Sequence, residues 1–176
     1  MTTDELKNKI RNVPDFPIKG VMFRDITTLI QDKAAFKYTV DQLYERYKDM
    51  KIDQVVGIES RGFIFGGALA HRLCCGFVPA RKLGKLPAKT IEESYELEYG
   101  RTSLQLHVDA VKKGDRVIIL DDLLATGGTL RATANMVERL GGTIVEIAVI
   151  IELTFLKGRE KLKNYKVYSM VEYDSE

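Results

Sequence analysis

Apolar residues in this chain fall into short unbroken runs, with longer periodic stretches between them. Residues 54–58, 117–120 and 143–152 are rich in Val, Ile and Leu with no polar alternation, the pattern of strands buried on both faces. Residues 77–81 make a further strand, in which Pro79 lacks an N–H and so favours an edge or a strand end. Residues 103–108 and 166–173 alternate instead, predicting half-buried strands. In the first of these Leu104, Leu106 and Val108 point inward and His107 outward. Helical spacing of three and four relates Phe36, Val40, Leu43, Tyr44 and Tyr47, so a helix starts at Asp32 and runs to about residue 50. Helices also follow over 63–73 and 129–140, the latter closed by Gly141-Gly142. A short amphipathic helix is expected over 2–12, with Thr3 as N-cap, Asp4 and Glu5 in its first turn, and Pro14 and Pro17 stopping it. Strands separated by helices imply right-handed crossovers and an α/β fold, with a central, mainly parallel, twisted sheet flanked by helices. With no repeat and no low-complexity linker, residues 1–176 read as a single domain.

Two stretches depart from this alternation. Residues 12–30 are mostly irregular yet carry Phe16, Met22 and Phe23, more apolar surface than a loop keeps unless it packs or covers something. Residues 82–103 mix Lys82, Lys85 and Lys89 with glycine and proline, then alternate Glu92, Glu93, Glu96 and Glu98 with Ser94, Tyr95, Leu97 and Tyr99. That pattern suggests a mobile ribbon able to close over a site, a lid.

The densest chemistry follows the run at 117–120. Asp121 and Asp122 stand at the carboxyl end of that strand, and Ala125-Thr126-Gly127-Gly128-Thr129 leads from them into a helix. Ligands of open α/β sheets bind beyond the carboxyl ends of strands, and a glycine-rich turn before a helix gathers backbone N–H groups into an anion nest. A plain turn would need neither paired carboxylates nor a threonine on each side of two glycines. Gly57 and Gly62 have half of a P-loop spacing, but Phe63-Ile64 stands where Lys-Ser/Thr is required, which excludes a Walker site.

Composition narrows the partners. With 27 basic and 25 acidic residues the net charge is +2, so no nucleic acid or other general polyanion partner is indicated and any affinity for phosphate must be local. No apolar run approaches the roughly 20 residues that span a bilayer, and the N-terminus lacks a signal peptide's apolar region, so no membrane partner and a cytoplasmic location are expected. Cys74 and Cys75 are adjacent and lack a second pair, which argues against disulfides and zinc and for small apolar groups near a helix end. His71 and His107 have no metal-binding companions in sequence.

The run from 117 to 129 resembles the phosphoribosyl-pyrophosphate motif of type I phosphoribosyltransferases, and its wording, Asp-Asp-Leu-Leu-Ala-Thr-Gly-Gly-Thr, is similar to that of the adenine-using members. Phe16-Pro17, Gly20-Val21 and Phe23-Arg24-Asp25-Ile26 resemble the purine-binding hood of that family. Glu59-Ser60-Arg61-Gly62-Phe63 resembles its pyrophosphate loop, which commonly carries a cis peptide before Ser60; Glu59 stands where Asp is often found. With Lys157-Gly158-Arg159-Glu160-Lys161 included, the likeness covers nearly the whole chain. It implies the type I fold with a small N-terminal hood (about 12–30) and a lid (about 82–103). It also implies a homodimer and the reaction of adenine with 5-phosphoribosyl 1-pyrophosphate to AMP and pyrophosphate.

That reaction sets a role for each group. Ala125, Thr126, Gly127, Gly128 and Thr129 suit the 5-phosphate, and Asp121 and Asp122 the ribose hydroxyls. Pyrophosphate needs cations near the carboxyl-side loops, where Arg61, Arg81, Lys82 and Lys85 stand; the resemblance adds Ser60 and favours Arg61. Mg²⁺ is expected to ride on pyrophosphate and water with few protein ligands. Proton transfer at the base suits a shielded carboxyl on the lid. The residues leave Glu96 and Glu98 equally eligible, and the resemblance selects Glu98, accompanied by Tyr99. It further implies that backbone groups near Met22 and Arg24 choose the base while Leu153 packs on its ring. Competing readings are a sibling enzyme for hypoxanthine or xanthine, and a purine-sensing regulator without catalysis. The regulator would be expected to add a DNA-binding domain.

Overall fold

The computed structural model describes residues 1–96 and 101–175. Seven strands form one sheet in the order β5-β6-β4-β3-β7-β8-β9. They are β3 (Gln54–Ile58), β4 (Gly76–Lys82), β5 (Thr90–Glu96), β6 (Arg101–His107), β7 (Arg116–Leu124), β8 (Thr143–Leu153) and β9 (Val167–Tyr173). Neighbours from β4 through β9 pair in parallel, while β5 and β6 form an antiparallel hairpin joined to the end of β4. The mainly parallel α/β architecture is therefore present, and its strand cores fall where the aliphatic runs predicted them.

Two apolar cores cover the two faces. One joins α1 (Thr3–Lys7), α2 (Thr27–Gln31), α3 (Lys33–Tyr47) and α4 (Gly62–Leu73) to the sheet through Leu6, Leu29, Leu43, Tyr47, Phe65 and Ile118. The other packs α5 (Gly128–Arg139) and the hairpin against Val56, Ile119 and Val149, with Leu104, Leu106, Leu130 and Met136. β7 lies between them, Ile118 feeding one core and Ile119 the other. That is why its sequence shows no alternation.

Several local expectations are corrected. α1 ends at Lys7, not near residue 12, and its N-cap is Thr2, whose hydroxyl accepts from Glu5 N–H while Glu5 reaches back to Thr2 N–H. A capping box fixes this start one residue earlier than Thr3. The chain then turns into β1 (Arg11–Val13), which pairs with β2 (Phe23–Asp25), so the hood contains a small antiparallel ribbon, and α2 follows it. Asp32 does cap α3, accepting from Ala34 and Ala35 N–H, but the helix stops at Tyr47. Pro79 sits within a strand that is interior to the sheet; β6 meets β4 only at Arg81 and Lys82, which leaves the outer side of Pro79 free of a ladder. Val108 is 37% exposed, because β6 ends at His107. Cys74 is exposed and takes the left-handed conformation that ends α4, so only Cys75 is partly covered.

The described part of the ribbon is tied to the body of the protein. Glu93 on β5 accepts from Asn135 (2.9 Å) and Arg139 (3.0 Å) of α5, and Arg139 also donates to the Glu92 carbonyl. Leu104 and Leu106 are buried beneath it. Glu98 and Tyr99 lie outside the described residues.

Candidate active site

The carboxyl ends of β3 and β7 are adjacent strands pointing the same way, so the loops that leave them meet. Between them opens a cleft of about 380 Å³. It is lined by Glu59, Ser60 and Arg61 after β3, Lys82 at the end of β4, Tyr95 of β5, and residues 121–130.

Its floor is the β7–α5 turn. β7 runs to Leu124, farther than the aliphatic run alone suggests, because β8 continues to pair with Leu123 and Leu124. Gly127 caps α5 at φ +78°, a left-handed conformation that Cβ-bearing residues resist. A Cβ on Gly128 would stand 3.3 Å from Tyr95 Cδ2, so the tyrosine ring closes over the start of the helix. The free N–H groups of that first turn, with the positive end of the helix dipole, face the cleft.

The two carboxylates differ. Asp121 is buried beneath α4, where a Cβ on Gly62 would come within 3.1 Å of Asp121 Oδ1. Burial, and then the Asp122 charge beside it, push the Asp121 carboxyl well above the usual carboxylate range. Asp121 Oδ1 accepts from Asp122 N–H at 2.8 Å. Asp122 forms an ion pair with Arg61 Nε. Burial alone would lower the Arg61 guanidinium, but the charge and hydrogen bond of Asp122 more than offset it and hold the group above its ordinary value. Arg61 also lies 6.0 Å from the Phe23 ring centroid, which links the hood to the cleft.

Opposite, Glu59 accepts from Lys82 N–H (3.0 Å) and Arg81 Nε (3.2 Å). Burial pushes its carboxyl up, yet these bonds and the two cations leave it below the usual glutamate value. The Glu59–Ser60 peptide is cis, as the resemblance led one to expect.

The cleft thus gathers Ser60, Arg61, Lys82, Asp121, Asp122 and Ala125 to Thr129. Other expected residues lie outside its lining. Arg81 turns to Glu59 and to the Lys85 carbonyl (3.1 Å), and Lys85 is exposed. Arg24 is held by Asn12 (2.6 Å), the Ser175 carbonyl and the Tyr173 ring. Met22 is half-buried, and Leu153 packs on the first core. Glu96 is exposed, on the opposite side of β5 from Tyr95. Sequence reasoning passed over Tyr95 and Glu59 as lining residues. The period-2 alternation of β5, which puts Tyr95 on the face of Ile91 and Glu93, was the available signal.

No group of three or more His, Cys, Asp or Glu side chains able to hold a metal occurs among the described residues. Nor is any helix among them long and apolar enough to cross a membrane.

A glycine-led helix N-terminus, two aspartates at the strand end and an arginine across from them form the arrangement that the resemblance to type I phosphoribosyltransferases implies. The phosphoribosyl transferase domain family model matches residues 27–175. A relative from Desulfosudis oleivorans, named adenine phosphoribosyltransferase, is 55% identical over 98% of this chain and 99% of its own. Among solved structures, the adenine phosphoribosyltransferase of Thermoanaerobacter pseudethanolicus superposes with a TM-score of 0.94 at 51% identity, covering 98% of this chain and all of that one. That of Saccharomyces cerevisiae gives 0.91 at 40% identity, covering 96% and 98%. The chain belongs to the adenine phosphoribosyltransferase family.

Proposed function

We propose that this protein transfers the 5-phosphoribosyl group of 5-phosphoribosyl 1-pyrophosphate to adenine, giving AMP and pyrophosphate, a purine-salvage reaction. The observation that carries the reading is the cleft itself, where Arg61, the Asp121-Asp122 pair and the α5 N-terminus face one space. The Saccharomyces relative was crystallised with adenine and an imino-altritol 1,6-bisphosphate.

In this reading the N9 atom of adenine bonds to C1 of the ribose as the bond from C1 to the pyrophosphate oxygen breaks. Positive charge grows on the ribose and negative charge on the leaving group. Backbone N–H groups of residues 125–129, with the Thr126 and Thr129 hydroxyls, hold the 5-phosphate. Asp122 accepts from a ribose hydroxyl, and Asp121, beside it at the end of β7, accepts from the second. Ser60, Arg61 and Lys82 receive pyrophosphate, and Arg81 and Lys85 flank them. The N9 proton passes to water or to the departing pyrophosphate as the bond forms. Glu98 on the lid lends a proton to N7 while N9 attacks and takes it back as AMP forms, with Tyr99 beside it. Met22 and Arg24 present backbone groups to the base, and Leu153 packs on its ring.

Mg²⁺ fits this donor set as an ion bound mainly by pyrophosphate and water, neutralising the leaving group's charge. We read residues 1–176 as one cytoplasmic domain that pairs as a homodimer, with small molecules rather than nucleic acid or membrane as its substrates. The test is AMP formation from adenine, phosphoribosyl pyrophosphate and Mg²⁺. No AMP from the folded protein rejects the reading.

A further inference from the structure

The turn carrying Lys157-Gly158-Arg159-Glu160-Lys161 lines none of the cleft, yet it presses on the cleft's floor from outside. A Cβ on Gly158 would stand 2.2 Å from the Ala125 carbonyl oxygen and 2.7 Å from Leu124 Cδ1. A Cβ on Gly127 would stand 2.5 Å from the Gly158 carbonyl oxygen. The two backbones therefore touch in both directions, with no room for a methyl group between them. The φ of Gly158 is not in the left-handed region, so only this contact requires glycine there.

The turn is itself anchored to the sheet. Arg159 donates to both oxygens of Glu152 (2.7 and 2.6 Å), to the Val167 carbonyl (3.0 Å) and to Ser169 Oγ (3.0 Å). Glu152 is 2% exposed and sits on β8 directly beside Leu124 of β7. Leu162, at the far end of the turn, is fully buried.

We propose that this turn is a buttress that sets the position of the Ala125-to-Gly127 loop for the 5-phosphate. Gly158 makes the contact, and Arg159 is a positioning residue fixed by Glu152. The proposal rests on the reading of residues 125–129 as the 5-phosphate site. A nest of N–H donors works only when all of them point at one anion. A floor that can slide by about 1 Å loses much of that advantage.

The experiment measures the Kd of ribose 5-phosphate by calorimetry and the KM of each substrate, in wild type, Gly158→Ala and Arg159→Lys. Gly158→Ala should raise the Kd of ribose 5-phosphate and the KM of phosphoribosyl pyrophosphate about tenfold, with the adenine KM changed less than about twofold. Arg159→Lys keeps the charge but loses the planar fork, and should act in the same direction by about threefold. A Kd within about twofold of wild type in folded Gly158→Ala overturns the proposal, as does equal weakening of adenine and ribose 5-phosphate. If Gly158→Ala does not fold, the Arg159→Lys result decides by the same criteria. Wild type that turns over adenine but does not bind ribose 5-phosphate refutes the 5-phosphate reading, and the buttress with it, before any variant is made.

Discussion

The floor of the cleft and the segments that cover it are built by different physics. The floor, β7 and the start of α5, is an extension of the core: Ile118, Ile119 and Leu120 are fully buried, and Asp121 and Asp122 are nearly so. The hood is a three-residue ribbon of strands with Phe16 and Ile18 half exposed, stitched by Phe16 against Phe23 (5.1 Å) and by Arg11 to Asp25. In the proposed reading a floor fixed by the sheet suits the ribose, phosphate and pyrophosphate, which must be aligned for displacement at C1. The tip of the hood buries little of its surface, while Ile26 and Leu29 at its base belong to the first core, so in the proposed reading the tip alone opens to admit the base.

If that division is right, damage to the covers should strike chemistry and base binding while leaving stability alone. Damage to the floor should strike phosphoribosyl pyrophosphate binding and stability together. The largest effect is expected at Glu98, to which the proposed mechanism gives the proton transfer: Glu98→Ala should lower turnover with adenine about 10²-fold or more, with little change in melting temperature. Unchanged turnover would remove Glu98 from the mechanism. On the floor, Asp122→Asn removes a charged hydrogen-bond acceptor and the partner of Arg61. It should reduce kcat/KM for phosphoribosyl pyrophosphate roughly 10- to 100-fold. Steady-state kinetics with that substrate varied would reveal it.

Asp121 is the exception on the floor, because its buried carboxyl separates function from stability. Its folded pKa lies above the unfolded one, so the protein is most favoured with this group protonated, and stability is lost as pH rises from the unfolded value near 4 through the folded value. Asp121→Asn mimics the protonated form. It should raise the melting temperature at neutral pH by about 2–4 °C for each kcal/mol relieved, while lowering activity. A fall in melting temperature at pH 7 would contradict this account of the buried carboxyl.

The smallest effect concerns the hood. Burial would raise Asp25, but hydrogen bonds from Arg11 and Thr27 hold it at about 2. Because that value is depressed, its contribution is present above about pH 4 and is lost as pH falls towards 2. Hydrogen exchange in β1 and β2 should therefore speed up between pH 4 and 2 relative to Asp25→Asn, beyond the intrinsic pH dependence. Parallel profiles would remove the ion pair from hood closure.

The same contrast explains what could be read from the sequence. β3, β7 and β8 announce themselves because both faces are buried and their central positions are apolar, and the turn into α5 follows from glycine, threonine and a helix start. The hood's β1, β2 and α2 are three to five residues long, too short for periodicity to register. Thr2 was passed over because the capping box that selects it depends on Glu5, three residues on. Gly158 was legible only as part of a family resemblance. Its reason is a contact with Ala125, 33 positions earlier in the chain, and no local pattern encodes such a contact. Arg81 and Lys82 are adjacent cations with equal claims in sequence, and only the position of Glu59 turns Arg81 aside and leaves Lys82 at the cleft.

The most direct test is a base comparison at saturating phosphoribosyl pyrophosphate and Mg²⁺, measuring nucleotide formed from adenine, hypoxanthine and xanthine. The account predicts AMP from adenine and a kcat/KM for the two oxopurines lower by at least about 10²-fold, since in the proposed reading the backbone groups near Met22 and Arg24 that pair with the adenine edge would be left unpaired by an oxopurine. Equal or preferred use of hypoxanthine or xanthine would contradict it.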